Sequence, residues 1–317
     1  MNSLHPCSVS IPAMLSTRMG RCCLVPGVKT DSTRYHPILS SFTSTKTNQE
    51  IKDMDIKLNN KSVIVTGGAS NIGRSISLAF AAEGAHLTIA DLDEEQAGKV
   101  ATQALELGAA SAHPIKADVA NWDSVQAMVV EVEKRHGKVD VLVNNVGWTR
   151  DAVFTEKTRE EWQREIDLNL WGTINCTRAV LDGMIKGGGG SVVSIGSDAG
   201  RMGEFREAVY GACKAGVIAL MKSLARENGR FGVRFNVVCP GTTMPDSAEE
   251  VSENSIWINE MKEWNTPEMR ERISKAYPLR RIGRPDDIAS AVLFMASDAS
   301  SFVTGQTLSV SGGYTMM

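Results

Sequence analysis

The fold of this chain is decided by the stretch Val63-Ile64-Val65-Thr66-Gly67-Gly68-Ala69-Ser70-Asn71-Ile72-Gly73, in which a β-branched apolar run enters a helical pattern through a glycine-rich turn. Such a turn lets backbone N–H groups approach a pyrophosphate, and the N-terminus of the following helix favours its negative charge. A glycine motif alone also fits a simple tight turn. Its position between an apolar strand and a helix favours a dinucleotide site.

Outward from this stretch, short β-branched runs alternate with longer helical patterns. We predict strands over residues 63–66, 87–91, 112–116, 139–144, 191–195, 234–238 and 307–310. Apolar positions three or four residues apart predict helices over residues 72–83, 94–107, 124–136, 160–184, 210–228 and 285–296. The alternation is typical of βαβ units. We therefore expect an α/β fold, a single doubly wound Rossmann domain with a seven-stranded parallel sheet and helices on both faces.

Residues 1–55 differ from the rest in composition. Ser and Thr are frequent there, and Asp31 is the only acidic residue before Glu50. This composition suits an organellar transit peptide. Met54 opens a plausible native start, so a disordered tail fits equally well. We expect the folded domain to span residues 56–317, in the cytoplasm, or in the mitochondrial matrix if the segment is a transit peptide.

Composition and charge exclude several classes of partner. The 317 residues are 42% hydrophobic and 22% charged, which is enough to bury a substantial core. The formal net charge of -3, without a long basic run, gives no support to nucleic-acid binding. We see no run of about 18 apolar residues that could span a bilayer, so we expect no membrane partner.

The histidines and cysteines argue against two other chemistries. All five histidines lie in the first half of the chain, at His5, His36, His86, His113 and His136, which argues against a Ser-His-Asp hydrolase. The six cysteines form no CxxC pair and no Cys/His cluster at zinc spacing. Neither a metal site nor a disulfide framework is predicted.

Asp91 indicates which dinucleotide is preferred. It closes the second predicted strand, where a carboxylate can accept hydrogen bonds from ribose hydroxyls and would repel a 2′-phosphate. Ser70 supplies no cation in the glycine turn. The sequence therefore favours NAD over NADP. Asp91 could instead cap the next helix, although Asp93 is available for that role.

The spacing of Tyr210 and Lys214 indicates the type of reaction. They lie four residues apart in Tyr210-Gly211-Ala212-Cys213-Lys214, so both side chains project from one face of a helix. An ammonium stabilises a neighbouring phenolate, and together with a cationic ring it could lower the pKa of Tyr210 below its ordinary value of about 10. Together with Ser197, the pair predicts alcohol–carbonyl redox chemistry.

From about Lys57 to the C-terminus, these residues resemble the short-chain dehydrogenase/reductase family. The similarity lies in an ordered series of motifs: the glycine turn, Asp118 before Val119, Asn144-Asn145-Val146-Gly147, Asn169-Leu170-Trp171-Gly172, Ser197, Tyr210 with Lys214, and Pro240-Gly241. Two departures from the family pattern stand out. Asn71 replaces a usual Gly, and Asn tolerates positive φ. Pro245 stands where a Thr is expected, which leaves Thr242, Thr243 and Ser247 as candidates to contact the nicotinamide amide.

The resemblance implies roles for four catalytic residues. Tyr210 would act as general acid/base, Ser197 would hydrogen-bond the substrate oxygen, and Lys214 would bind the nicotinamide ribose. Asn169 would hold a water that relays protons to Lys214. The implied cofactor-binding set is Gly67, Ser70, Asn71, Ile72, Gly73, Asp91, Asp118, Val119, Asn145, Gly147, Tyr210, Lys214, Pro240, Gly241 and Thr243.

Only the resemblance to family members limits the class of substrate. Glu207-Ala208-Val209-Tyr210 and Asn236-Val237-Val238-Cys239-Pro240-Gly241 resemble family members that oxidise 2-hydroxycyclohexanecarboxyl-CoA and others that reduce 3-oxoacyl thioesters. This implies a β-hydroxyacyl thioester, such as an acyl-CoA, as the small-molecule substrate. Two alternatives stay open: a dehydrogenase of a small polyol, sugar or cyclic alcohol, and a catalytically idle NAD-binding scaffold.

The long polar segment over residues 242–278, with Trp257 and Trp264, is expected to be a mobile substrate lid. Basic residues on and near it could meet CoA phosphates or guide an anion to Ser197: Lys262, Arg270 and Arg272, and Arg201 or Arg206. The resemblance also implies a homotetramer, built through the predicted helices 160–184 and 210–228 and the C-terminal segment.

Overall fold

The computed structural model of the chain describes residues 56–245, 247, 250–252 and 266–317. These residues form one parallel sheet in the order β3-β2-β1-β4-β5-β6-β7. Its strands are β1 (Ser62–Thr66), β2 (His86–Asp91), β3 (Ser111–Lys116), β4 (Val141–Asn144), β5 (Gly190–Ile195), β6 (Val233–Pro240) and β7 (Thr307–Val310). The predicted doubly wound seven-stranded sheet is confirmed.

Helices cover both faces of the sheet. They are α1 (Asn71–Ala82), α2 (Glu94–Glu106), α3 (Trp122–His136), α4 (Arg159–Ile166), α5 (Gly172–Lys186), α6 (Ala199–Met202), α7 (Ala208–Asn228), α8 (Pro267–Ser274) and α9 (Pro285–Ala296). One core lies between the sheet and α1, α2 and α9, and a second lies between the sheet and α3, α5 and α7. Because both faces are covered, all five residues of β1 are buried.

The sheet reverses its winding direction beside β1. From β1 the chain moves outward through β2 and β3, and then returns to place β4 on the other side of β1. In sheets of this kind, ligands bind in the crevice outside the carboxyl ends of the strands at the reversal. The glycine turn after β1 and the residues after β4 meet there.

The helix predicted over residues 160–184 is the main correction to the secondary structure. It is divided into α4, a short π-helical segment (Asp167–Trp171) and α5. A π turn adds one residue without interrupting the helical path, so the apolar spacing does not reveal it. Helix α6 was not predicted because four residues are too few to establish a period.

Helix α7 corrects another expectation. With the turn that follows it, residues Ala208–Phe231 are long and apolar enough to cross a membrane by length and composition, although we expected no such stretch. Packing inside the domain explains this composition. Val217, Ile218 and Met221 on its inner face are buried in the second core.

Two predicted segments fall partly or wholly outside the described residues. Residues 1–55 lie outside them, as do Trp257, Lys262 and Trp264 of the predicted lid. The described part of that lid contains α8, with Thr266 as its N-cap and Pro267 in its first turn. From α8, the Arg270 guanidinium donates a 2.8 Å hydrogen bond to the carbonyl oxygen of Pro245, just beyond β6.

Candidate active site

The glycine turn after β1 has the shape expected for close approach of a ligand. Gly67 has a φ of +60°, and Asn71 has a φ of +46°, so Asn71 occupies the left-handed conformation predicted for it. A Cβ on Gly73 would lie 1.9 Å from the carbonyl oxygen of Gly67. Position 73 therefore accepts only glycine, because any side chain would collide with the turn itself.

Side chains from β1 and from the end of β4 hold this turn in place. The Thr66 hydroxyl donates to Val143 O at 3.2 Å and accepts from Asn145 N at 3.1 Å. The Asn145 amide nitrogen donates to Thr66 O at 3.1 Å and to Gly67 O at 3.0 Å. Asn145, which we predicted to bind cofactor, thus braces the turn from beneath.

Asp91 lies at the same edge of the sheet. Its carboxylate accepts hydrogen bonds from Ala69 N in the glycine turn and from Asp93 N, each at 3.1 Å. Burial raises the pKa of Asp91, although these backbone hydrogen bonds oppose the increase. Asp93 caps α2 by accepting from Gln96 N at 3.0 Å. The cap is therefore supplied by Asp93, and the half-buried Asp91 carboxylate remains available to a ligand beside the turn.

The other predicted cofactor residues lie around this crevice. Asp118 and Val119 follow β3, and Asp118 Oδ1 accepts from Ala120 N at 3.0 Å. Ile72, the second residue of α1, packs against the first core. The Ser70 hydroxyl accepts a hydrogen bond from Ser252 N at 3.1 Å, which links the glycine turn to the described part of the predicted lid.

The residues present fit a dinucleotide. Within the described chain, Asn71 Oδ1 is buried without a hydrogen-bond partner at the start of α1, so it could accept a hydrogen bond from a ligand hydroxyl beside the glycine turn. Gly67, Ser70, Asn71, Ile72 and Gly73 would hold the pyrophosphate at the helix N-terminus. Asp91 would meet the adenosine ribose.

Lys214 and Tyr210 lie together on α7, as their spacing predicts. Lys214 Nζ lies 5.5 Å from the centre of the Tyr210 ring and donates a 2.9 Å hydrogen bond to the carbonyl oxygen of Ile195, at the end of β5. Burial lowers the pKa of Lys214 to about 8. Its proton is therefore easier to exchange near neutral pH than that of an exposed lysine.

The predicted direction of the Tyr210 shift is wrong for the protein without cofactor. Burial raises the pKa of Tyr210 above its ordinary value, and the negative charge of Glu207 raises it further. A hydrogen bond from the Ser197 side chain acts in the opposite direction. The expectation counted the nearby ammonium and a cationic ring, but neither desolvation nor the glutamate three residues earlier.

Ser197 follows β5 on a turn anchored from two sides. Its hydroxyl accepts a hydrogen bond from Ala199 N at 3.1 Å. The next residue, Asp198, is buried; it accepts from Ser309 Oγ of β7 at 2.6 Å and pairs with Arg201 at 3.3 Å. Asp198 and Ser309 thereby fix the turn that presents Ser197 to Tyr210.

Asn169 is buried in the π-helical segment. Its amide nitrogen donates to Trp148 O at 2.7 Å and to Glu165 O at 2.8 Å, and its oxygen accepts from Trp148 N at 3.2 Å. A Cβ on Gly147 would lie 3.0 Å from Asn169 Oδ1 and 3.3 Å from Lys214 Nζ. Gly147 is thus the place where the Asn169 amide and the Lys214 ammonium meet.

Comparison with known proteins agrees with this geometry. A family model described as enoyl-(acyl carrier protein) reductase matches residues 67–315. A 3-oxoacyl-(acyl-carrier-protein) reductase FabG from Staphylococcus aureus is 36% identical over 256 residues, which are 81% of this chain and 98% of that protein. The chain belongs to the short-chain dehydrogenase/reductase family.

Solved structures support the same assignment. A short-chain type dehydrogenase/reductase from Mycobacterium marinum is 28% identical with a TM-score of 0.74, over 83% of this chain and 98% of that one. A 7α-hydroxysteroid dehydrogenase complexed with NADH and 7-oxo glycochenodeoxycholic acid is 30% identical with a TM-score of 0.73, over 82% and 96%. The chain is a short-chain dehydrogenase/reductase, an NAD(P)-dependent oxidoreductase acting on CH–OH and keto groups.

The turn after β6 of this short-chain dehydrogenase/reductase contains the candidates predicted to contact the nicotinamide amide. Thr243 is buried, and its hydroxyl donates to Gly241 O at 3.0 Å, within the turn that begins at Pro240. Thr242 is half-buried and its N–H donates to the Tyr277 hydroxyl at 2.9 Å, whereas Ser247 is exposed. The Thr243 hydroxyl is therefore already engaged, and its predicted contact with the nicotinamide side stays a prediction.

The described cysteines of this short-chain dehydrogenase/reductase are free thiols in the core. Cys176, Cys213 and Cys239 are buried, and burial raises the pKa of Cys176 and of Cys239 to about 12. Such thiols are poor nucleophiles near neutral pH. Among the described residues, no group of three or more His, Cys, Asp or Glu side chains could hold a metal ion.

Four polar residues near the site were not assigned roles from the sequence. Glu207 lies three residues before Tyr210, and burial together with the charge of Glu204 raises its pKa to about 7. Lys157, Glu165 and Thr149 form a buried cluster beside Asn169. The i and i+3 spacing to Tyr210 could have indicated Glu207. Nothing local indicates that residues 149, 157 and 165 meet.

Proposed function

We propose that the protein interconverts a β-hydroxyacyl thioester and its β-oxoacyl form, such as 2-hydroxycyclohexanecarboxyl-CoA and the corresponding ketone, with NAD as cofactor. The observation that carries this proposal is the convergence of Tyr210, Lys214, Ser197 and Asn169 at the carboxyl ends of β4 and β5. The 36% identity to a 3-oxoacyl-(acyl-carrier-protein) reductase, over 98% of its length, supports the thioester class.

In the proposed reaction, the residues of this chain bind the substrate oxygen and move one proton. When bound, the nicotinamide supplies or accepts the hydride. Ser197 donates a hydrogen bond to the substrate oxygen, and Tyr210 gives its phenolic proton to that oxygen in reduction or removes it in oxidation. Lys214 binds the nicotinamide ribose and favours the phenolate. Asn169 holds the water through which Lys214 exchanges protons with solvent.

NAD is proposed over NADP because of charge at the end of β2. Asp91 presents a carboxylate beside Ala69 of the glycine turn. A 2′-phosphate placed there would meet like charge, whereas two ribose hydroxyls could both donate to the carboxylate. The relative solved with NADH is consistent with this preference.

Other parts of the proposal concern assembly and location. We infer a homotetramer built through α4, α5, α7 and the C-terminal segment, in the cytoplasm or, if residues 1–55 are a transit peptide, in the mitochondrial matrix. Exposed apolar side chains at the C-terminal end support a contact surface there: Leu308, Met316 and Met317. Size-exclusion chromatography with light scattering would give the subunit number directly.

A small polyol, sugar or cyclic alcohol is the second candidate substrate. Glu207 favours it, because the negative charge of its half-buried carboxylate lies close enough to Tyr210 to raise the pKa of that phenol. A second hydroxyl on the substrate could donate to it. The hydroxysteroid-dehydrogenase relative acts on a cyclic secondary alcohol carbon.

One panel of assays discriminates these candidates. NADH absorbance would be followed with acetoacetyl-CoA and other β-oxoacyl-CoA thioesters, and with free polyols and cyclic alcohols plus NAD. The proposal expects the thioesters to react best, and preference for free alcohols would overturn it. NADH binding without turnover of any compound would indicate an idle scaffold. Tyr210→Phe should reduce turnover about 10²- to 10⁴-fold and leave NADH affinity largely intact.

A further inference from the structure

A cluster of two buried charged side chains and one half-buried threonine lies next to Asn169. Lys157 and Glu165 form an ion pair with an N···O distance of 2.5 Å, and their side chains are 1% and 0% exposed. The Thr149 hydroxyl donates to Glu165 Oε1 at 2.8 Å and accepts from Lys157 Nζ at 3.3 Å. We call these three residues the Thr149 cluster.

Stability alone does not explain such a cluster. Removing two charges from water opposes folding, and a well-packed apolar pair of similar volume is often at least as stable. The hydrogen bonds of the cluster do not fully compensate the loss of hydration, because Glu165 Oε2 is buried without a hydrogen-bond partner in the described part of the chain. A buried polar cluster does fix geometry, because its directional hydrogen bonds set the relative position of the segments that they join.

The Thr149 cluster joins the two segments that position Asn169. Thr149 lies in the loop after β4, two residues beyond Gly147, and Glu165 lies in the last turn of α4, which continues into the π-helical segment. The same segments meet again through Arg164, whose guanidinium lies 4.2 Å from the centre of the Trp148 ring.

Asn169 itself depends on this junction. Its side chain hydrogen-bonds both the N–H and the carbonyl oxygen of Trp148 on one segment, and the carbonyl oxygen of Glu165 on the other. A shift of Trp148 along α4 would therefore break two of these three hydrogen bonds. It would also move Gly147, on which Asn169 and Lys214 converge.

We propose that the Thr149 cluster is a positioning unit, in which Lys157 and Glu165 hold Thr149 so that the loop after β4 keeps Asn169 in its working geometry. This inference rests on the proposed catalytic role of Asn169. None of the three cluster residues needs to contact substrate or cofactor, since each acts through the backbone of Trp148 or Glu165.

The variant that tests the proposal is Thr149→Val, which keeps the shape of the side chain and removes its hydroxyl. The Trp148 amide should exchange with deuterium roughly tenfold faster, because its acceptor is Asn169 Oδ1. This readout requires no turnover, so it tests the inference even if the proposed function fails. With acetoacetyl-CoA and NADH, kcat should fall roughly tenfold or more while the Kd for NADH stays unchanged.

Matched variants separate positioning from general damage. Thr149→Ser restores the hydroxyl and should return both the exchange rate and kcat towards the wild-type values. Thr102→Val removes a hydroxyl that donates to Gly98 O on α2, far from the site, and should change neither. If Thr149→Val does not fold, Thr149→Ala serves as the second variant, with the same expected outcomes.

A double-mutant cycle completes the test. If Thr149 acts through Asn169, Thr149→Val should have no further effect on kcat in an Asn169→Ala background. Independent, multiplicative losses would overturn the proposal, as would unchanged Trp148 exchange in Thr149→Val. Unchanged kcat in Asn169→Ala alone would instead contradict the proposed catalytic role of Asn169.

Discussion

The Lys214 ammonium lies 5.5 Å from the centre of the Tyr210 ring, and the two groups depart from their ordinary pKa values in opposite directions. Burial lowers the pKa of Lys214 to about 8 and raises that of Tyr210. Burial disfavours the charged form of each group, so Tyr210 stays a neutral phenol in the protein alone, whereas Lys214, with a pKa of about 8, still carries its proton at neutral pH. We expect positive charge entering the site, such as that of an oxidised nicotinamide ring, to favour the phenolate.

Glu207 should set the pH dependence of alcohol oxidation. Its negative charge raises the pKa of Tyr210, and oxidation requires the phenolate, so the rate should rise with pH as Tyr210 loses its proton. Glu207→Gln removes that charge and should move this limb of the pH–rate profile to lower pH. Glu106→Gln, at the exposed end of α2, is the control. An unmoved limb in Glu207→Gln would contradict the electrostatic coupling.

Asp91 should control the choice between NAD and NADP. Asp91→Asn keeps an acceptor for the Ala69 N–H but removes the charge that opposes a 2′-phosphate. The ratio of kcat/KM for NAD to that for NADP should fall about 10- to 100-fold, since a hydrogen bond to a charged group is worth about 1.5–3 kcal/mol. Asp93→Asn, which preserves a helix cap, should leave the ratio unchanged. An equal ratio in wild type and Asp91→Asn would remove Asp91 from cofactor selection.

Gly73 should be irreplaceable, in contrast to another helical glycine. An alanine Cβ at Gly73 would lie 1.9 Å from Gly67 O, so Gly73→Ala should destabilise the fold by at least about 2 kcal/mol and abolish NADH binding. Gly98 in α2 has no atom within 4 Å of a Cβ placed on it. Gly98→Ala should stabilise the protein by up to about 1 kcal/mol. Urea unfolding and NADH fluorescence titration measure both effects.

Three histidines at one edge of the sheet should make the fold sensitive to acid. The His86 and His136 rings stack with centroids 4.7 Å apart, and the His113 ring lies 6.0 Å from His136. Burial lowers the pKa of His113 and of His136, and the nearby Arg135 and the other histidines lower them further, while Glu131 opposes this for His113.

The sign of this effect follows from proton uptake. The unfolded chain binds protons at His113 and His136 at a higher pH than the folded protein, so the free energy of unfolding should fall as pH drops below about 6.5. His113→Gln should flatten that slope in urea titrations between pH 7.5 and 5.5. An identical slope in wild type and variant would exclude the histidine cluster as its cause.

Much of the fold was predictable because its signals are local. The apolar β-branched runs and the helical spacing each place a residue type at a period that a few neighbours establish, and the strand from 307 to 310 was placed without error. The glycine turn was equally predictable, since the steric contact that requires glycine at position 73 is with Gly67, only six residues earlier. Asn71 stands where the family usually has Gly, and its positive φ agrees with the tolerance of Asn for that conformation.

The sequence predicted which residues meet at the site better than it predicted their pKa values. The positions of Ser197, Tyr210 and Lys214 followed from spacing and resemblance, and the structure brings them together. The raised pKa of Tyr210 did not follow, because burial depends on every element packed around α7. The π-helical segment that carries Asn169 was also missed, since one extra residue within a helix is too small an irregularity for a pattern of positions three or four apart to single out.

The sequence by itself determined the order of strands and helices and the glycine turn, because these depend on short-range sterics and periodicity, and its resemblance to the family predicts the proton-handling residues. Only the tertiary structure decided that Thr149, Lys157 and Glu165 meet beside Asn169, that Asp91 reaches Ala69, and how far the phenol resists ionisation. Those outcomes depend on distance and desolvation between segments far apart in the chain, and no local pattern encodes them.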